Sequence, residues 1–306
     1  MSGRAVRRMA RDIDDRYYRI KQDLKALIDE RMTGRAREGN GSRWHFLCHQ
    51  AGDQPTLYQV NAATYIYDMT PAELSALLKV VQGVLDRHLL EGGETDIWSM
   101  GYVGAEMQRG TLEAFNNLSQ QSQLYAQQTT LPQLLSSPAY QNQIAATLVS
   151  TYSDWKGISD VTRTDLANVI TDAVARGVNP RETAKVISKR LDVSASRAKN
   201  IAQTEQVGAL REAQWAETDW ARDRLGLRTA VLWISALKPT TRSWHASRSG
   251  NVYSTEEVRD FYSANGNRYH CYCSQIPCLL DEHGQIANKG VTDRLIKERD
   301  KWKQAA

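Results

Sequence analysis

The sequence predicts a predominantly α-helical α+β protein, with long helices in its N-terminal half and a helical hairpin plus a small β-sheet in its C-terminal half. Up to Leu225, apolar residues recur mainly at intervals of three and four, the spacing of one face of an α-helix. An apolar run with the composition of a strand, TAVLWIS, begins at Thr229. Further short strands are expected around residues 251–254 and 268–276.

The first predicted region, residues 1–42, is a basic amphipathic helix followed by a linker. The apolar face of the helix consists of Ile13, Tyr17, Ile20, Leu24 and Leu27. A terminal helix of this kind buries too little to be stable alone, so we expect it to dock on a neighbouring subunit. Residues 33–42 are rich in glycine and charge, which indicates the linker.

The second predicted region, residues 43–150, is helical and adhesive. Thr70, Pro71 and Glu73 are a helix start signal, because they supply a capping threonine, a first-turn proline and the glutamate of a capping box. Another helix is expected over residues 102–118. Residues 119–138 are rich in Gln, Ser and Thr and have little to bury, which predicts an extended or mobile polar arm.

Three helices are predicted in the centre of the chain. The first has an apolar face made of Leu166, Val169, Ile170, Ala173 and Val174. Gly177 ends it, and Asn179 with Pro180 starts the second. A cap at Asp192 or Ser194 is expected to start the third, which runs to residue 224.

Glu205 lies on the face of the third helix that is expected to be buried. A buried carboxylate needs a partner, because an unpaired buried charge is costly. Two interpretations stay open. Glu205 is held by an arginine such as Arg197 or reaches water, or it is a site carboxylate that Thr204 assists.

Charge is concentrated at the two ends of the chain. Residues 1–40 hold 11 basic and 7 acidic side chains, residues 284–306 hold 6 and 3, and the middle holds 22 and 25. Basic ends suit contact with nucleic acid or acidic protein surfaces. Residues 284–306 are predicted to form a basic C-terminal helix or tail.

No apolar run approaches the roughly 20 residues of a membrane span, so we expect no membrane partner and synthesis in a reducing cytoplasm.

Cysteine and histidine occur in two groups. Residues 43–50 hold His45, Cys48 and His49, without a second ligand pair at zinc-finger spacing. In the C-terminal half, buried thiols are one interpretation and a structural zinc ion is the other. The candidate zinc ligands are Cys271, Cys273, Cys278, His245, His270 and His283.

Several motifs occur together in this half. R-x-x-x-I-A-x-T-E starts at Arg197, Trp233 lies in the first strand, Thr241 starts T-R-x-x-H, and Cys271 starts C-x-C. These motifs resemble the minor head protein family of tailed phages, typified by the F protein of phage Mu, over about residues 160–280. We therefore assign residues 151–283 to such a domain. Its polar cluster would consist of Arg197, Thr204, Glu205, Trp233, Thr241, Arg242 and His245.

The sequence departs from the family pattern at two positions. Lys238 replaces an acidic residue five positions after Trp233, and Arg268 replaces a histidine three positions before Cys271. If these positions cooperate in a polar or metal cluster, the cluster is altered here.

The resemblance implies a structural virion protein that acts in head morphogenesis, with no catalytic residue and no cofactor. It implies multiple copies at the portal or inner capsid, made in the host cytoplasm and contacting the portal protein, the major capsid protein or packaged double-stranded DNA. The alternative is a metal-dependent hydrolase or nuclease of a phage or mobile element, with Glu205 and the Cys/His group around an activated water.

Overall fold

The computed structural model describes residues 3–32, 34–36, 65–286 and 289–305. Within these ranges, ten helices and five short strands confirm the predominantly helical α+β fold. None of the described helices has the length and hydrophobicity needed to cross a bilayer. The chain divides into a first unit of Met1–Arg11, Gly92–Asp154 and Lys199–Ala306, and a second unit of Asp12–Glu91 and Trp155–Ala198. The linear division into four regions stays a prediction.

The helices and strands have the following bounds. The helices are α1 Gly3–Arg31, α2 Pro71–Leu89, α3 Met100–Gln121, α4 Gln123–Gln128, α5 Leu131–Leu135, α6 Pro138–Arg176, α7 Pro180–Leu225, α8 Ser243–Ala246, α9 Thr255–Ser263 and α10 Lys289–Ala305. The strands are β1 Gly34–Ala36, β2 Tyr65–Tyr67, β3 Thr229–Ile234, β4 Val252–Tyr253 and β5 Ser274–Leu279. β1 and β2 pair antiparallel, and β3 is the central strand of an antiparallel sheet between β4 and β5.

The apolar face of α1 is buried inside the second unit. Ile13 and Ile20 are 0% exposed and Tyr17 is 2% exposed. Tyr17 Oη lies 2.6 Å from Ser194 Oγ on α7, and Lys21 Nζ lies 2.5 Å from an Asp192 carboxylate oxygen. The expectation that this face docks on a neighbouring subunit is therefore wrong, because the same chain covers it.

Two long helices replace the three predicted in the centre of the chain. α6 already begins at Pro138 and ends before Gly177, which has a φ of 66° as a helix-ending glycine does. Asn179 caps α7 as predicted, since its side chain accepts a hydrogen bond of 2.9 Å from the Arg181 amide. α7 then continues through Ser194, whose hydroxyl contacts Thr162 Oγ1 at 2.6 Å. Ser194 makes a partly buried polar contact and is not a cap.

The α2 start signal is confirmed by a complete capping box. The Glu73 amide donates to Thr70 Oγ1 at 3.3 Å, and the Thr70 amide donates to the Glu73 carboxylate at 2.7 Å. Leu77, Val81 and Leu85 are buried and form the inner face of this helix.

The polar arm predicted over residues 119–138 is wrong, because this segment is largely helical and anchored. Tyr125 on α4 is 0% exposed, and its hydroxyl donates to the buried carboxylate of Glu217 on α7. The Gln121 side chain donates to the Pro277 carbonyl at 3.1 Å and accepts from the Leu279 amide at 2.9 Å. The side chain thereby pairs with backbone groups at the free edge of β5, where no further strand supplies hydrogen bonds.

The three-stranded sheet separates two apolar clusters, because successive side chains of β3 point to opposite faces. Val231 and Trp233 lie in one cluster, together with Trp215 of α7 and residues of α9. Ala230 and Leu232 lie in the other. α10, the predicted basic C-terminal helix, covers this second cluster through Leu295.

Candidate functional site

A thiol–imidazole cluster lies beside the first of these apolar clusters. His245 stands on α8, and its Nδ1 lies 3.3 Å from Cys271 Sγ and 4.0 Å from Cys273 Sγ. The three ligand atoms lie within 4.8 Å of one another. All three side chains are buried, at 2%, 6% and 2% exposure respectively. We call this group the His245–Cys271–Cys273 cluster.

A tight loop after α9 presents both cysteines to His245. Asn265, Gly266 and His270 have positive φ values of 53°, 64° and 54°, so the chain turns sharply before Cys271. The strand predicted over residues 268–276 starts later, at Ser274. The two cysteines both face His245, although they belong to the loop and not to the strand.

Aromatic rings form the wall behind His245. The imidazole lies edge-on to Phe261, with ring centroids 4.9 Å apart, and 6.2 Å from Trp233. Trp233 is itself stacked on Tyr262 at 5.5 Å. The predicted site residue Trp233 is therefore the fully buried support that holds the imidazole in place.

Arg211 on α7 is the functional residue that sequence reasoning missed. Its guanidinium is 2% exposed and donates to the Cys273 carbonyl at 2.7 Å, the Cys271 carbonyl at 3.2 Å and Cys271 Sγ at 3.2 Å. The available signal was its spacing, four residues after Val207 and four before Trp215, which aligns it with two buried apolar side chains. Arg211 fixes the loop and places a positive charge beside the sulfur.

The charges around the sulfurs push the two thiol pKa values apart. A hydrogen bond from Cys273, with His245 and the Arg211 charge, lowers the pKa of Cys271 despite its burial. The same hydrogen bond, together with burial, raises the pKa of Cys273. Cys271 is therefore the member of the pair that more readily carries a negative charge.

One side of the cluster opens into a cavity of about 300 Å³. Thr241 and Arg242, from the T-R-x-x-H motif, line it together with Lys238 and His270. Thr241 Oγ1 accepts from the Lys238 amide at 2.8 Å, and the Lys238 ammonium lies 3.3 Å from the centre of the Tyr272 ring. Lys238 thus contributes a cation to the cavity wall where the family pattern has a carboxylate.

Two of the other candidate metal ligands, Cys278 and His283, lie apart from the cluster, whereas His270 lines its cavity. Cys278 pairs in register with Ala230, so it belongs to the apolar cluster on the opposite face of the sheet. Burial raises its pKa to about 12, as expected for a thiol in a core. His283 is exposed and lies 3.5 Å from Glu282. His45, Cys48 and His49 are outside the described residues.

Glu205 is held by an arginine, but the partner is Arg268 and not Arg197. Arg268 Nη2 lies 2.5 Å from Glu205 Oε1. Thr204 does not assist, because its hydroxyl donates to the Asn200 carbonyl at 2.8 Å within α7. Arg197 is exposed. The polar cluster expected from the motifs therefore divides into the cavity group around His245 and a separate Glu205–Arg268 ion pair.

The fold and site define a small α+β domain, in which a long helix and a three-stranded sheet hold a buried Cys/His cluster. Residues 164–276 match the family model described as phage Mu protein F like protein. This match confirms the resemblance over that segment of the chain. No curated protein and no solved structure matches the chain.

Proposed function

We propose that this protein is a minor head protein, a non-enzymatic virion component that acts in head morphogenesis at the portal or inner capsid. The observation that carries the proposal is the match of residues 164–276 to the phage Mu F-like family. The proposed location is the phage head, and the proposed partners are the portal protein or the major capsid protein, with several copies in the assembly.

The contacts that the motif residues make support a structural role. Arg242 donates to the carbonyls of Asn267 and Tyr269 at 3.3 and 3.0 Å, and Trp233 is buried in the core. Glu205 is paired with Arg268. The His245–Cys271–Cys273 cluster contains no carboxylate that could act as a general base on a metal-bound water. These contacts favour assembly over hydrolysis.

Co-expression with the portal protein of the same phage tests the proposed partner. We expect the chain to co-elute with the portal oligomer in size-exclusion chromatography, and the major capsid protein is tested in parallel. If the folded chain elutes separately from both the portal protein and the major capsid protein, the proposal is contradicted.

Contact with packaged DNA is proposed for α10, whose exposed face carries Lys297, Lys301 and Lys303. Each phosphate contact contributes about 0.9 to the slope of log affinity against log salt. Replacing all three lysines by glutamine is therefore expected to lower both the affinity for double-stranded DNA and the salt slope, measured by fluorescence anisotropy.

A matched control removes the same charge elsewhere. Lys79, Lys185 and Lys189 are exposed lysines of the second unit, and their replacement by glutamine changes the net charge equally. Equal losses of affinity in both triple variants would indicate a general charge effect and would rule out α10 as the contact.

A further inference from the structure

The His245–Cys271–Cys273 cluster combines the ligand types that thiophilic metal ions prefer. Cys thiolates and imidazole nitrogens are the usual zinc ligands in proteins, and three protein ligands leave one coordination position open. We propose that His245 Nδ1, Cys271 Sγ and Cys273 Sγ bind one divalent cation of the zinc class, with its fourth coordination position facing the cavity. This inference is independent of the proposed virion function.

The distances between the ligand atoms suit such an ion. Tetrahedral zinc, with bonds of about 2.3 Å to sulfur and about 2.0 Å to nitrogen, holds sulfur and nitrogen about 3.6 Å apart and two sulfurs about 3.8 Å apart. The observed distances from Nδ1 to the two sulfurs are 3.3 and 4.0 Å, and no pair exceeds 4.8 Å. The two nitrogen–sulfur distances therefore lie within about 0.4 Å of the ideal value.

The surroundings of Cys271 Sγ suit a thiolate, and a hydroxyl group lies beside Cys273 Sγ. Arg211 Nη2 donates to Cys271 Sγ, and Tyr262 Oη lies 3.5 Å from the same sulfur. Ser235 Oγ lies 3.6 Å from Cys273 Sγ. Hydrogen bonds from such outer groups orient metal ligands and balance their charge. A divalent cation would neutralise both thiolates in a site where Arg211 supplies a single positive charge.

Metal binding at Nδ1 requires the imidazole proton to reside on Nε2. That atom lies 3.4 Å from Arg242 Nη1, which is itself a donor. Arg242 keeps two carbonyl acceptors, those of Asn267 and Tyr269, and so does not depend on the imidazole. The metal-binding tautomer therefore leaves the guanidinium paired with these carbonyls, but Arg242 Nη1 must shift away from the Nε2 proton, because both groups are donors.

The cavity beside the three ligands leaves room for a fourth ligand at the open coordination position. Lys238, Thr241 and His270 line it beside the three ligands, and His270 is exposed. A solvent molecule or an exogenous donor therefore has room to complete the coordination sphere. Three protein ligands and a cavity distinguish this site from a closed structural zinc site with four protein ligands.

Cobalt(II) titration tests the site, because cobalt–thiolate bonds give charge-transfer absorption. The parent protein for the titration is the 306-residue chain with the substitution Cys48→Ser, which removes the thiol of the His45–Cys48–His49 group. We expect one cobalt per chain, displaced by zinc. Cys271→Ser and Cys273→Ser are each expected to reduce affinity at least about tenfold, in keeping with the loss of a metal-site contact.

Cys278→Ser is the matched control, since it removes a buried thiol on the opposite face of the sheet. Unchanged cobalt binding in this variant is expected, as it is in His270→Ala. The assignment is overturned if the folded parent binds no metal, if Cys271→Ser with Cys273→Ser still binds, or if Cys278→Ser or His270→Ala abolishes binding.

Alkylation of the same parent protein provides a test that needs no site variant to fold. Zinc is expected to protect Cys271 and Cys273 from iodoacetamide by at least about tenfold in rate, because a metal-bound thiolate is a poorer nucleophile than a free one. Cys278 should react equally slowly with and without zinc. Peptide mass spectrometry measures each site, and equal alkylation of Cys271 and Cys273 in both conditions would overturn the proposal.

Discussion

Arg268 replaces the histidine of the family pattern, and it has a structural role in this protein. Burial raises the pKa of Glu205, the Asp154 carboxylate raises it further, and Arg268 opposes both effects. Burial also raises the pKa of Asp154, again opposed by Arg268. Groups with raised pKa values stabilise the fold fully below their ordinary pKa and lose that contribution as pH rises through the raised value. Arg268 limits this loss.

Replacing Arg268 by glutamine should therefore destabilise the protein in a pH-dependent way. We expect a loss of about 1 kcal/mol in unfolding free energy near pH 7 and a smaller loss near pH 4, because carboxylates lose charge as the pH falls. Urea unfolding at both pH values measures the difference. Arg176→Gln is the control, because Arg176 pairs with Asp172 on the exposed surface of α6. A loss that is equal at both pH values would contradict the electrostatic role of Arg268.

At the scale of elements, α7 is buried around most of its circumference within the first unit. Many of its buried residues are polar, among them Gln206, Arg211, Gln214, Glu217 and Thr218. Helical periodicity predicts a single apolar face, so it could not reveal a helix that other elements surround. Polar side chains are tolerated there because several of them have internal partners, such as Glu217 with Tyr125.

The contact between α3 and α7 depends on Gly110. A Cβ atom at this position would lie 2.3 Å from the Leu210 carbonyl oxygen and 3.1 Å from Ala213 Cβ. Gly110→Ala should therefore lower the unfolding free energy by about 1 to 3 kcal/mol, the usual cost of overpacking, measured by urea unfolding.

Gly104 in the same helix is the matched control. A Cβ there would meet only the Met100 methyl group, at 3.6 Å. Gly104→Ala should raise stability by about 0.5 to 1 kcal/mol, because alanine favours a helix interior more than glycine does. Equal effects of the two substitutions would show that helix propensity, and not close approach, governs position 110.

At the scale of the whole molecule, each compact unit is assembled from segments that are distant in the sequence. α1 supplies core residues of the second unit, so its apolar face is part of the fold and not a surface for a partner. This changes the predicted role of the N-terminal region. A search for partner surfaces should begin elsewhere on the molecule.

Substitutions on α1 distinguish a core helix from a docking helix. Ile20 is 0% exposed, and Ile20→Ala is expected to cost about 2 to 5 kcal/mol of unfolding free energy through the cavity that it leaves. Tyr18 on the same helix is 63% exposed, and Tyr18→Ala should change stability by less than about 0.5 kcal/mol. Thermal and urea unfolding would decide. An Ile20→Ala protein with unchanged stability would restore the docking interpretation.

Features that depend on neighbouring residues could be predicted from the sequence. The capping box at Thr70, the helix end at Gly177, the Asn179 cap and the strand from Thr229 all follow local rules of hydrogen bonding and backbone conformation. The fold class follows from them. The phage Mu F-like resemblance was also carried by short motifs that can be read along the chain.

Which of the motif residues meet depends on how the folded elements are arranged. His245, Cys271 and Cys273 come together because a loop with positive φ values turns both sulfurs toward α8, whereas Cys278 lies across the sheet. Arg211 and Arg268 became recognisable only through their partners. The physical reason is that contacts between distant segments depend on how whole helices and strands pack together. Residue spacing along the sequence reports the local periodicity of each element and not this packing.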